Sequence, residues 1–175
     1  MSHTILIVDD EESIRTSLRG ILEDEAFNVL EADSGEAALR LLAKREVSAL
    51  LLDIWMEGMD GIETLRRIKE PEQMSDDFPH PLNPDAPVIM MSGHGTIDTA
   101  VQATRHGAYD FLEKPLSLER VLLLLDRAIR EYRLKRENRE LKRRVESDFA
   151  MLGDSAPLNV WMNRSAASPP PMAGC

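Results

Sequence analysis

The 175 residues, 43% apolar and 30% charged, suffice for one domain with a buried core plus an appendage, and are short for two full domains. A net charge of -10 argues against a broad nucleic-acid or anionic-membrane surface, because such surfaces need an excess of Lys and Arg. The single cysteine, Cys175, excludes an intrachain disulfide and a cysteine-based zinc site, and points to a cytoplasmic setting.

Met1 leads straight into the first of five short apolar or β-branched runs, Thr4 to Val8, so no leader segment is expected. The others are Asn28 to Ala32, Ala49 to Leu52, Val88 to Met91 and Asp110 to Leu112, and each reads as a strand. Between them, Ile14, Leu18, Ile21 and Leu22, and then Ala37, Ala38, Leu41 and Leu42, fall at helical spacing after cap-type residues. Five strand–helix repeats predict right-handed crossovers and a doubly wound α/β domain whose parallel sheet is covered on both faces.

Asp60-Gly61-Ile62-Glu63 predicts a capped helix running to about Glu70, with Asp60 accepting an amide hydrogen bond, Glu63 reaching back, and Pro71 as the stop. From Pro71 to Pro87 the chain holds five prolines and two adjacent aspartates, which predicts a long exposed loop. A last helix is expected to start at Ser117 and run to about Ser147, beyond what one α/β domain needs, with its extra turns projecting outward. Val121 to Leu125, the longest aliphatic block, is too short to span a bilayer.

Within that helix Leu134, Asn138, Leu141 and Val145 recur at spacings of four, three and four, the seam of a short parallel coiled coil with Asn at a core position. The bland alternative is a lone surface helix with chance spacing, since two heptads fall short of the three or four that specify a coil. Arg130 to Arg144 carries eight basic and three acidic residues, which reads first as a solvated face. The expected divisions are a domain at 1–130, a helical linker at 131–147, and a tail at 148–175 that is either disordered or the start of a further domain.

In an open α/β sheet, ligands bind beyond the carboxyl ends of the strands. There the first strand ends in Asp9-Asp10, the third in Asp53, the fourth in Ser92 and the fifth in Lys114-Pro115. Singly, these residues could be caps, turns or surface charges. Together, three carboxylates about 4 Å apart would repel by roughly 4 kcal/mol per pair at an effective dielectric near 20, which calls for a bound cation. Oxygen ligands without His or Cys favour a hard ion, and a partly hydrated Mg²⁺ tolerates a shared phosphoryl oxygen. Beside such an ion Asp53 suits a nucleophile toward phosphorus, Lys114 suits an electrostatic partner of the phosphoryl oxygens, and Ser92 a hydrogen-bond donor to them.

Ile5-Leu6-Ile7-Val8-Asp9-Asp10-Glu11, Leu51-Leu52-Asp53-Ile54-Trp55-Met56 with Gly58-Met59-Asp60-Gly61, Met91-Ser92-Gly93, and Gly107-Ala108-Tyr109-Asp110-Phe111-Leu112-Glu113-Lys114-Pro115 resemble response-regulator receiver domains of two-component signalling. The resemblance covers about residues 4 to 130 with every motif in order. It implies a flavodoxin-like five-stranded parallel sheet of order 2-1-3-4-5 with five helices, and phosphorylation of Asp53 by a sensor histidine kinase. It also implies Mg²⁺ held in an acidic pocket of Asp9, Asp10 and Asp53 with the Trp55 carbonyl, Lys114 on the phosphoryl group, and a cis Lys114-Pro115 bond. Ser92 and Phe111 become the switch pair that remodels the surface around the fourth helix and fifth strand.

The fifth-strand phrase and the charged helix after it are similar to the nitrogen-regulator class, whose next domain is a sigma-54-activating ATPase. No glycine-rich phosphate loop and no helix-turn-helix is present, so neither nucleotide hydrolysis nor direct nucleic-acid binding is expected of these residues. The expected partners are the kinase and a second copy, through the last helix and linker, with transcription as the regulated output. Two departures from the family stand out: Glu57 where proline is usual, and the long Pro71–Pro87 segment. A haloacid-dehalogenase-type phosphatase would need a second aspartate where Trp55 stands, and a pseudo-receiver acting only in dimerisation sits poorly with a complete acidic pocket.

Overall fold

The structure is a computed structural model. It describes residues 2–71 and 82–152. The elements alternate as β1 (Thr4–Val8), α1 (Glu12–Asp24), β2 (Asn28–Ala32), α2 (Gly35–Leu42), β3 (Ala49–Asp53), α3 (Gly61–Lys69), β4 (Val88–Ser92), α4 (Ile97–Arg105), β5 (Asp110–Glu113) and α5 (Leu118–Leu152). The five strands form one parallel sheet in the order β2-β1-β3-β4-β5, the flavodoxin-like order expected. β3, β4 and β5 each run one residue beyond their apolar runs, so Asp53, Ser92 and Glu113 still pair within the sheet.

β3 shows why the sheet needs cover on both sides. Leu50 and Leu52 join Leu6, Val8, Ala38, Leu39, Leu65, Ile68, Val88 and Met90 on the face covered by α2, α3 and α4. Ala49 and Leu51 join Ile5, Ile7, Leu18, Leu22, Leu125 and Ala128 on the face covered by α1 and α5. The period-two alternation of side chains makes one strand serve two cores, which is why it reads as an unbroken aliphatic run.

The helix ends follow local chemistry. Ser34, Asp60 and Thr96 cap α2, α3 and α4 by accepting from the amides of Ala37, Glu63 and Thr99. Glu63 departs from its expected role: instead of reaching back to the cap it pairs with Arg66 and Arg67 one turn on. Two cations at helical spacing outbid one amide for the carboxylate, and the hydrogen bonds to Arg66 and Arg67 hold Glu63 down at about 2.

The Pro71–Pro87 segment also differs from the exposed loop expected of it. Residues 72–81 lie outside those described, but Leu82 and Ala86 are buried in the α2/α3/α4-side core. Lys69 donates to the carbonyls of Pro84 and Ala86, and Asn83 Nδ2 donates to Tyr132 Oη at 2.5 Å. Proline count signals irregular backbone and says nothing about its burial.

Two units divide the chain, Met1–Arg133 and Leu134–Cys175. In the first, α5 buries Val121, Leu124, Leu125, Ala128 and Ile129. In the second the helix continues to Leu152, five residues past the expected end, and Leu134, Leu141, Val145, Phe149, Met151 and Leu152 are all exposed. The expected tail at 148–175 therefore begins in helix, and its residues 153–175 lie outside those described.

Candidate functional site

Asp9 and Asp10 follow β1, Asp53 ends β3, Ser92 ends β4, and Lys114 follows β5. One carboxylate oxygen from each of Asp9, Asp10 and Asp53 can be chosen so that all three lie within 4.8 Å of one another. Asp9 and Asp53 are buried, whereas Asp10 is exposed. The side chain of Lys114 reaches into this group, donating to Asp9 Oδ2 at 2.8 Å and approaching Asp53 Oδ1 to 3.3 Å.

The rest of the Asp9 surroundings fix its position. Its Oδ1 accepts from the Glu11 amide at 2.9 Å, and its carbonyl accepts from Arg15 Nη1 at 2.7 Å. Arg15 in turn faces Glu31 of β2, which also pairs with Arg19 at 2.6 Å. Asp53 is held differently: Asp53 Oδ1 is buried, within ion-pair range of Lys114, and accepts no hydrogen bond. Burial, then the Asp9 charge, push the Asp53 carboxyl up to about 6, with Lys114 opposing them. Partial burial works against the Lys114 charge, but the hydrogen bond to Asp9 and the fields of Asp53 and Asp9 outweigh it and hold the ammonium above its ordinary value.

Three carboxylates against one ammonium leave the pocket short of positive charge, and the buried Asp53 Oδ1, ion-paired with Lys114, accepts no hydrogen bond and has room for a further ligand. An all-oxygen donor set suits a hard divalent ion such as Mg²⁺. The residues present therefore fit that ion.

Ser92 is fully buried, and its Oγ accepts from the His94 amide at 3.2 Å. Its carbonyl accepts from the Lys114 amide at 2.8 Å, which ties β4 to the residue that enters the pocket. Lys114-Pro115 is a cis peptide bond, as the motif implied. Phe111, partly buried on β5, rests against Gly95 so closely that a Cβ there would lie 2.7 Å from its Cζ. Trp55, two residues past Asp53, keeps 59% of its surface exposed.

Three supporting residues had no role assigned to them from sequence. Gly61, quoted there within a helix-start pattern and a receiver-like motif, packs on the backbone of Asp53 and Ile54. Glu36 of α2 accepts from the Met59 amide at 3.3 Å and steadies the loop carrying Glu57 and Gly58, the latter with φ of +80°. Gly95 seats Phe111. Only the glycine-rich composition of these loops hinted at such close approaches.

The profile of the response regulator receiver domain family matches residues 5–126. The chain belongs to that family. It is 42% identical over 158 residues to the nitrogen assimilation regulatory protein NtrX of Azorhizobium caulinodans, covering 89% of this chain and 32% of the relative. The crystal structure of NtrX from Brucella abortus superposes with a TM-score of 0.68 at 40% identity, over 81% of this chain and 30% of that one. The beryllofluoride-activated NtrC4 receiver domain dimer matches with a TM-score of 0.65 at 41% identity, over 74% of this chain and 98% of that one. This receiver thus spans about a third of the length of the curated NtrX it resembles. No helix among its described residues is long and apolar enough to cross a membrane.

Proposed function

We propose that this receiver accepts a phosphoryl group on Asp53 from the phosphohistidine of a sensor kinase and relays it as a change of surface. The observation that carries the reading is the buried Asp53 carboxylate, whose Oδ1 accepts no hydrogen bond and pairs only with the Lys114 charge, with Asp9 and Asp10 around it. An Asp53 oxygen forms the new bond to phosphorus, the phosphorus–nitrogen bond breaks, and the histidine nitrogen keeps the electron pair. Lys114 is the ammonium in place to offset charge on the phosphoryl oxygens. Asp9, Asp10, Asp53 and the Trp55 carbonyl would hold Mg²⁺, which neutralises charge on the carboxylates and the incoming phosphoryl group. The reaction is stoichiometric, one phosphoryl group per chain.

Ser92 Oγ, which accepts from the His94 amide, then donates its hydroxyl proton to a phosphoryl oxygen, and Phe111 responds across the β4–α4 connection. The phosphoryl group must favour one surface state over the other in free energy for this to signal. The output is transcription regulation through a domain outside these residues, in keeping with the regulatory protein NtrX that the chain resembles. A homodimer through α5 and the linker, in a cytoplasmic setting, completes the reading. The NtrC4 receiver, also a relative, is a dimer in its beryllofluoride-activated form.

Intact mass after incubation with Mg²⁺ and a small acyl phosphate tests the chemistry. The expected result is a single labile phosphoryl adduct, absent in Asp53→Asn and absent without Mg²⁺. An adduct that survives in Asp53→Asn would move the site elsewhere, and no adduct at all would leave a pseudo-receiver.

A further inference from the structure

Arg15 is oddly placed for a cation. It lies one turn into α1, close to the helix end whose partial positive charge favours anions. Its side chain is nevertheless only 15% exposed. The guanidinium turns back over the start of its own helix, where Nη1 donates to the Asp9 carbonyl at 2.7 Å and Nε stands 3.8 Å from Glu31 Oε1 on β2. Glu31 is held in turn by Arg19, which donates to its other oxygen at 2.6 Å. Arg15 therefore touches the pocket through main chain.

We infer that Arg15 is a positioning residue for the phosphoryl-accepting pocket: braced by Glu31, it holds the peptide plane between Asp9 and Asp10 and so aims the Asp10 carboxylate at the metal. This rests on the reading of Asp9, Asp10 and Asp53 as the Mg²⁺ site and adds the residues that keep that site in shape.

A peptide unit is rigid, so a hydrogen bond to its oxygen orients the amide and the next Cα along with it. Upstream of Asp9 the backbone is already fixed, because the Asp9 amide donates to the Ala32 carbonyl of β2 at 3.2 Å. The Asp9 carboxylate is fixed as well, one oxygen accepting from the Glu11 amide and the other from Lys114. The Asp9–Asp10 peptide is where the chain leaves the sheet, and Arg15 grips it there. Asp10 is exposed, so the backbone that carries it decides where its carboxylate points. A guanidinium suits this task because its planar fork can meet a carbonyl and a carboxylate at once, whereas an ammonium is a compact point charge.

Charge and position predict opposite signs. As a charge alone, Arg15 would repel a nearby cation, and its removal would tighten Mg²⁺ binding. As a positioning residue it keeps a metal ligand in place, and its removal weakens binding.

Amide resonances of the whole chain, followed through a Mg²⁺ titration, test this with Arg15→Met, Arg15→Lys and Glu31→Gln. Arg15→Met is expected to weaken Mg²⁺ binding about tenfold and, in chelator, to shift the Asp10 amide resonance. Unchanged or tighter binding would overturn the inference and leave Arg15 as a background charge. Arg15→Lys keeps the charge but loses the fork, and should bind Mg²⁺ more weakly than the natural chain. Equal binding in Arg15→Lys would overturn the bridging role, and this variant decides alone if Arg15→Met does not fold. Glu31→Gln should weaken binding in the natural chain and change nothing in Arg15→Met, because Glu31 acts through Arg15; additive losses would overturn that coupling. A natural chain with no saturable response to Mg²⁺ would instead overturn the metal-site reading itself.

Discussion

Gly61 and Asp53 approach so closely that a Cβ on Gly61 would lie 2.1 Å from the Asp53 carbonyl oxygen and 2.7 Å from Ile54 Cα. The first turn of α3 therefore bears directly on the backbone of the proposed acceptor. Gly61→Ala cannot be relieved by a side-chain rotation, because the atoms it meets are main chain. The expected cost is about 3 kcal/mol or more in urea unfolding, with slower acceptance of phosphate by whatever folds. A loss below about 1 kcal/mol would show that α3 can shift without consequence.

Lys114 is the cation that touches the carboxylates of both Asp9 and Asp53. Lys114→Met should lower metal-free stability at neutral pH by about 1–3 kcal/mol, because two buried carboxylates then face each other uncompensated. The same substitution should tighten Mg²⁺ binding about tenfold, since the ion no longer competes with an ammonium. Trp55 fluorescence in a Trp161→Phe background reads the affinity. Weaker Mg²⁺ binding in Lys114→Met would mean that the lysine organises the site rather than competing for it.

The raised Asp53 carboxyl sets a pH dependence in metal-free protein. The native state holds this proton up to about 6, whereas an ordinary carboxyl releases it near 3.8, so folding gains from Asp53 below about 3.8 and loses that gain as pH rises through 6. The stability of Asp53→Asn relative to the natural chain should accordingly grow between pH 4 and 7, by up to about 3 kcal/mol. Denaturation in a chelator at several pH values measures it, and a flat difference would place the carboxylate in a more polar environment than its burial indicates.

Gly95 offers a handle on Phe111. A Cβ there would lie 2.7 and 2.9 Å from Phe111 Cζ and Cε1, so the ring must leave its seat in Gly95→Ala. The expected outcome is a shifted set of Phe111 ring resonances in the unphosphorylated protein and a changed response to beryllofluoride, with stability within about 1 kcal/mol of the natural chain. Unchanged ring resonances would mean that the loop moves instead.

The strands were legible because each is an apolar run between polar connections, and the site was legible because Asp53 and Ser92 end their strands and Asp9 and Lys114 directly follow theirs. A parallel sheet turns a set of strand ends into a set of neighbours, so order along the chain translated into proximity. Glu63 was misread because a capping pattern does not reveal competing arginines at Arg66 and Arg67. Leu82 and Ala86 were missed because a proline-rich segment reads as exterior, while their burial depends on a gap between α3 and β4 that no local pattern encodes. The seating of Phe111 on Gly95 is a through-space relation and leaves no trace in spacing.

The clamp on residues 82–87 has a consequence for how this domain can vary. Lys69 grips Pro84 and Ala86 from α3, and Tyr132 meets Asn83 from α5, so the approach to β4 is anchored on both sides before the strand begins. The pairing of Leu50 with Val88 therefore rests on contacts made by residues 82–87 themselves, so a change of length before Leu82 is expected to leave that register in place. Loop closure grows only slowly more costly with length. The position is thus a natural port for inserted sequence, at the end of the sheet opposite the phosphoryl chemistry.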